Sequence, residues 1–220
     1  QQVYLRDCSL TVPKNKVVLL YGPNGSGETS FFNVLCGLSK PKKGNVYWNG
    51  WRVDKLVKAN QVRHHYISMI FSEFIFMQSL TVRENLIMPA VFAGKDREYI
   101  QNRLEMLKDV FQFEDFRIDL GHILQQDSIE ELSSGQKALV SIARAFILDN
   151  PFVFADEMFR SFDQHNASLL WERIINSPQL GIKENRTLFL ISHMQAIHKD
   201  PHVDVIYTIN NDSGCLEQIK

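Results

Sequence analysis

The sequence predicts an α/β fold: a mainly parallel sheet, an antiparallel β part near the amino terminus, and an inserted helical subdomain. Three observations carry this. Short unbroken apolar runs at residues 17–21, 152–155 and 187–191 read as buried parallel strands. Residues 44–53, GNVYWNGWRV, alternate around an Asn49-Gly50 pair, the pattern of a tight hairpin. From about residue 83 to residue 131 the apolar period becomes helical.

Taken in chain order, residues 3–12 and 16–21 are predicted strands, the second stopping at a glycine-rich turn. A helix follows over about 29–36, then the hairpin. In the helical stretch, Ile100, Leu104, Leu107 and Phe111 recur on one face with charges between them. Residues 134–149 read as a further helix, broken by Pro151. The run at 152–155 then ends in Asp156-Glu157, and the run at 187–191 ends at Ser192-His193. With no internal repeat and no linker rich in Gly, Ser or Pro, the chain reads as one domain over residues 1–220, its helical subdomain at about 83–133.

Bulk properties exclude more than they assign. The 220 residues are 45% hydrophobic and 22% charged, ordinary for a globular chain, and the net charge of -1 supplies no field to hold a polyanion. Lys40, Lys42 and Lys43 surround Pro41 and read as a solvated turn; His64 and His65 form no ligand set. Cys8, Cys36 and Cys215 are widely separated and have no metal-ligand spacing, which implies a reducing compartment and no disulfide frame. The sequence has neither a run of about 18 apolar residues nor the layout of a signal peptide, so any membrane part is expected from a partner.

The chemistry lies at the strand ends. Gly22-Pro23-Asn24-Gly25-Ser26-Gly27-Glu28-Thr29-Ser30 follows a strand and opens a helix, where main-chain N–H groups and the helix dipole hold phosphate. Thr29 stands where a hydroxyl holds Mg²⁺ between terminal phosphates. The lysine such a loop requires is missing, and Glu28 occupies its place. Leu132-Ser133-Ser134-Gly135-Gln136 precedes a helix, while Asp156 and Glu157 sit together at a strand's carboxyl end, where open parallel sheets bind ligands. There an aspartate orients Mg²⁺ through water, and a glutamate polarises an attacking water. Asp163 reads equally as a cap for a helix over residues 164–176.

In this order the motifs resemble the ABC ATPase family over nearly all of the chain, which implies a P-loop NTPase core that takes ATP and Mg²⁺. The resemblance assigns phosphate contact to Gly22, Asn24, Gly25, Ser26, Gly27, the Glu28 position, Thr29 and Ser30, and the signature to Ser133, Ser134, Gly135 and Gln136. It makes Asp156 the metal-orienting acid and Glu157 the catalytic base, with Asp163 the aspartate that follows it. His193 becomes the switch histidine that senses the γ-phosphate. Residues 81–94, TVRENLIMPAVFAG, and Ala155 look like the lipoprotein-release and macrolide-exporter branch. Residues 36–41 with 46–50 look instead like the haem-exporter ATPase subunit of cytochrome c maturation.

Departures from the family gather around the nucleotide. Besides Glu28, Ser72 replaces a glutamine, Met158 a proline, and Ser161-Phe162 a small-Leu pair; Tyr4 is the candidate aromatic for adenine. A unit charge about 4 Å from another at an effective dielectric of about 20 is worth roughly 4 kcal/mol, so Glu28 works strongly against a phosphate unless it turns to solvent or takes a proton. The resemblance therefore implies weak or absent hydrolysis at this chain's own loop, with its signature serving a different ATPase subunit in a heterodimer. It also implies an integral membrane permease as partner, at the cytoplasmic face of a membrane, with residues 72–80 receiving the permease's coupling helix. Two other classes compete: a degenerate scaffold or regulatory module that no longer cycles, and a nucleic-acid-associated ABC protein, disfavoured by the near-neutral charge and the absence of coiled-coil arms.

Overall fold

A computed structural model describes residues 8–23, 25–53, 65–210 and 214–220. Its elements run, in chain order, β1 (Val17–Tyr21), α1 (Glu28–Leu35), β2 (Tyr47–Trp48), β3 (Trp51–Arg52), β4 (Ile67–Ile70), α2 (Val82–Phe92), α3 (Arg97–Val110), α4 (Leu120–Ile123), α5 (Ser134–Ala145), β5 (Phe152–Asp156), α6 (Gln164–Asn176), β6 (Thr187–Ile191), α7 (Gln195–His198), β7 (Val205–Ile209) and β8 (Leu216–Gln218). They divide between two compact units: Gln1–Met69 with Pro151–Asp156 and Lys183–Lys220, and Ile70–Asn150 with Glu157–Ile182.

The first unit is organised by a sheet in the order β4-β5-β6-β1-β7-β8. β5 pairs parallel with β6, β6 with β1 and β1 with β7, and β8 returns antiparallel to β7. The apolar runs form these strands because both faces are covered: Val17, Val18, Leu19, Leu20, Leu188 and Leu190 are all fully buried. Aromatic rings stitch α1 to the sheet, with Phe32 edge-on to Phe154 at 6.3 Å and Phe154 against Phe189 at 5.6 Å. Asp204, just before β7, fixes the start of β1: it accepts from the Val17 N–H at 2.9 Å and pairs with Lys16 and Lys183.

β2 and β3 form the separate hairpin, turning through Asn49 and Gly50 at φ 48° and 85°, the left-handed pair that a two-residue turn demands. The strand predicted at residues 3–12 is corrected in part. Residues 8–12 are not in a strand, because side chains rather than a ladder hold them: Tyr207 donates to Thr11 O and Thr187 to Pro13 O. Residues 3–7, Tyr4 among them, lie outside the described residues. Lys40, Lys42, Lys43 and His65 are exposed, as their solvated reading requires; His64 lies outside the described residues.

The second unit is helical. Of the predicted stripe, Leu104, Leu107 and Phe111 are buried, together with Leu86, Leu120, Ile123, Leu139 and Ile142, while Ile100 is half-buried. α2 opens on a capping box between Thr81 and Glu84. The fully buried Asn85 amide fastens the preceding turn, accepting from Met77 N and donating to Met77 O, Leu80 O and Thr81 O. The helix predicted over 134–149 stops at Ala145, because Arg103 donates to the Phe146 and Ile147 carbonyls and pairs with Asp149, closing the helix end.

Candidate functional site

The carboxyl ends of β1, β5 and β6 are level. Ile191 pairs with Leu20 on one side and with Asp156 on the other, so the residues following β1, Asp156 itself and Ser192-His193 emerge at one edge of the sheet. There the chain bends from β1 into α1. A Cβ on Gly22 would stand 2.6 Å from Ser26 Oγ and 3.3 Å from Ile209, so a side chain there would displace the serine hydroxyl and crowd Ile209. Gly25 and Gly27 hold φ of 82° and 100° and let the bend reverse; the Ser26 N–H donates to Pro23 O. Gly27 caps α1 without a side-chain partner. Asn24 lies outside the described residues.

Thr29 and Asp156, 127 residues apart in the chain, meet here: the Thr29 hydroxyl donates to Asp156 Oδ2 at 3.2 Å. Glu28 occupies the first turn of α1, its side chain 9% exposed and its Oε2 3.5 Å from Nε2 of His193. The carboxylate does not turn out to solvent, which corrects one way the sequence offered of relieving its charge. The helix N-terminus that favours a phosphate favours this carboxylate as well. Ser30 is exposed on the same first turn.

The remaining predicted residues belong to the helical unit. Ser133 is the N-cap of α5; its Oγ accepts from Gln136 N, and Gln136 Oε1 accepts from Ser133 N, a reciprocal capping box. Ser134 and Gly135 form the first turn, and Gly135 has the Phe162 ring and Ser161 O at ordinary contact distance. Asp163 caps α6: hydrogen bonds, first that from Asn166 N, hold its carboxyl below the usual range. Glu157, directly after Asp156, has φ 50°, a backbone state rare for residues other than glycine. Ser72 precedes an aromatic stretch in which Phe74 stacks on Phe76 and Arg144 lies over Phe76 while donating to Ile75 O. Sequence reasoning missed the Glu28–His193 contact, because 165 residues separate the two and neither motif points at the other.

The family model described as ABC transporter matches residues 5–160. The chain belongs to the ABC transporter family. Macrolide export ATP-binding/permease protein MacB from Shewanella sp. (strain ANA-3) is 30% identical over 216 residues, covering 96% of this chain and 30% of that protein. MacB from Campylobacter jejuni is 31% identical over 196 residues, covering 88% of the chain and 28% of the relative. The chain thus spans less than a third of the length of these two relatives. The solved dimeric structure of MJ0796, a bacterial ABC transporter cassette, superposes with a TM-score of 0.82 at 22% identity, over 99% of this chain and 91% of that one. The fold is therefore the P-loop NTPase fold of ABC ATPases, as the sequence predicts. Among the described residues, no helix is long and apolar enough to cross a membrane.

ABC ATPases take ATP with Mg²⁺, and the residues present fit that pair in all but one respect. Ser26 Oγ is buried with no hydrogen-bond partner among the described residues, inside a bend that a single Cβ would fill. The Thr29 hydroxyl and Asp156 carboxylate converge as metal-orienting oxygens do. Among the described residues no group of three or more His, Cys, Asp or Glu is placed to hold an ion. Glu28 alone has the wrong sign for a polyphosphate.

Proposed function

We propose that this chain is the peripheral ATP-binding subunit of an ABC transporter, acting over residues 1–220 as one nucleotide-binding domain with a helical subdomain at about 83–133. Its own glycine loop binds nucleotide weakly and hydrolyses it little, and its signature completes the site of a different ATPase subunit in a heterodimer. The observation that carries this reading is the buried Glu28 carboxylate, set against His193 in the first turn of α1 beside an otherwise serviceable loop.

Bound ATP with Mg²⁺ supplies the scissile phosphoryl bond. Main-chain amides of Gly22, Gly25, Gly27 and the first turn of α1, with Ser26, Thr29 and Ser30, would hold the phosphates, and Thr29 and Asp156 would hold the metal. Glu157 polarises the attacking water, and His193 reads the terminal phosphate. At position 28 a cation would neutralise the charge that develops, whereas a carboxylate opposes it. Ser133, Ser134, Gly135 and Gln136, preorganised by their own capping box, present a helix N-terminus to the partner's nucleotide, with Asp163 at the same subunit boundary.

The exposed apolar residues Ile75, Met77, Val91 and Phe92 support a permease contact on the helical unit, Phe92 being 70% exposed. The likeness to MacB favours export, with the chain at the cytoplasmic face of a membrane. The competing reading, a scaffold that does not cycle, draws on the same Glu28–His193 contact, which engages the switch histidine. Purification from membranes distinguishes them. A transport subunit co-purifies with an integral membrane protein and a second ATPase chain, and that complex loses ATP turnover on Ser133→Arg in this chain; a scaffold leaves turnover unchanged.

A further inference from the structure

The fold brings together two of the three cysteines that the sequence separates. The Cys8 thiol donates to Gly214 O at 3.2 Å. The peptides here are trans, and across a trans peptide the carbonyl oxygen lies about 2.8 Å from the next Cα. Cys8 Sγ therefore stands within roughly 6 Å of Cys215 Cα.

The surroundings hold the two in place. Residues 8–11 run beside the β7–β8 hairpin: Tyr207 donates to Thr11 O, and a cleft of about 370 Å³ is lined by Ser9, Leu10, Thr11, Tyr207, Leu216 and Gln218. On the hairpin side Asn210 N donates to Cys215 O and Gly214 N to Asn210 O. Both cysteines are half-buried, whereas Cys36 is fully buried.

We propose that Cys8 and Cys215 form a modification site, a thiol pair that a low-molecular-weight disulfide such as oxidised glutathione converts into an intramolecular disulfide. One cysteine, as thiolate, attacks a sulfur of glutathione disulfide, giving a mixed disulfide and releasing one glutathione thiolate. The other, as thiolate, attacks the protein-side sulfur, closes the Cys8–Cys215 bond and releases the second glutathione. The protein loses two electrons and two protons, and one glutathione disulfide becomes two glutathione thiols. The bond ties residue 8 to the hairpin and closes almost the whole chain into a loop.

The test incubates the full chain with oxidised glutathione, alkylates remaining thiols, digests without reductant and maps peptides by mass spectrometry. The expected result is a Cys8–Cys215 linked peptide from protein that migrates as a single chain. The same link forms in Cys36→Ser, and reductant removes it. Glutathione adducts without a link, a link through Cys36, a link between two chains, or no reaction at either residue would each overturn the proposal. The mapping needs only the unaltered protein.

Discussion

Nε2 of His193 lies 3.5 Å from Oε2 of Glu28, so the last residue of one strand-end motif touches the anomalous residue of another. The carboxylate occupies the mouth of a helix N-terminus and takes the favourable field there for itself. An incoming polyphosphate must displace it or accept its repulsion.

Glu28→Gln isolates that repulsion, since it keeps the shape and removes the charge. About 4 kcal/mol is the upper scale for a unit pair at this range and relaxation reduces it, so the variant is predicted to bind MgATP about ten- to a hundredfold more tightly than the native chain. Titration with a fluorescent ATP analogue reads the difference. No gain in affinity would remove the charge argument.

Asn85 tests the helical unit. Its amide makes four hydrogen bonds from a fully buried position, tying residues 77–81 to α2. Asn85→Ala removes the side-chain partner of Met77 N and Leu80 O, while Met77 O and Thr81 O keep the main-chain donors Leu80 N and Asn85 N, and urea unfolding is predicted to show a loss of about 2–4 kcal/mol. The same variant loosens residues 72–80, and proteolysis there should quicken.

Asp204 gives a pH signature. Burial works against its charge, but the Val17 N–H and the Lys183 and Lys16 ammonium groups outweigh it and hold the carboxyl below its ordinary value. A depressed folded value stabilises the chain above the unfolded value of about 3.9 and is lost as pH falls through the folded one. Asp204→Asn should therefore cost about 1 kcal/mol from pH 7 down to about 5, and the gap to the native chain should close below about pH 4. Thermal melts across that range measure it; a gap that widens in acid would contradict the assignment.

What was legible in the sequence was whatever burial or backbone geometry writes locally. β1, β5 and β6 are unbroken apolar runs because they are covered on both faces, and Asn49-Gly50 marks its turn because few residues tolerate two successive positive φ values. β7 is as apolar as these, but no chemical motif ends it, and β4 is short and carries the polar Ser68. The end of α5 is not written locally, because Arg103, some forty residues earlier, supplies the groups that close it. At the site, the side chains of Thr29 and Asp156 meet across 127 residues, at strand ends that the motifs mark. The placement of Glu28 against His193 and the approach of Cys8 to Gly214 depend on long-range packing, which no local pattern encodes.

The most direct measurement is MgATP affinity and steady-state turnover of the isolated native chain beside Glu28→Lys. Weak binding and negligible turnover are expected for the native chain, with affinity rising by two or more orders of magnitude in the lysine variant. Tight binding and ready hydrolysis by the native chain, unchanged or diminished by lysine at position 28, would contradict that expectation.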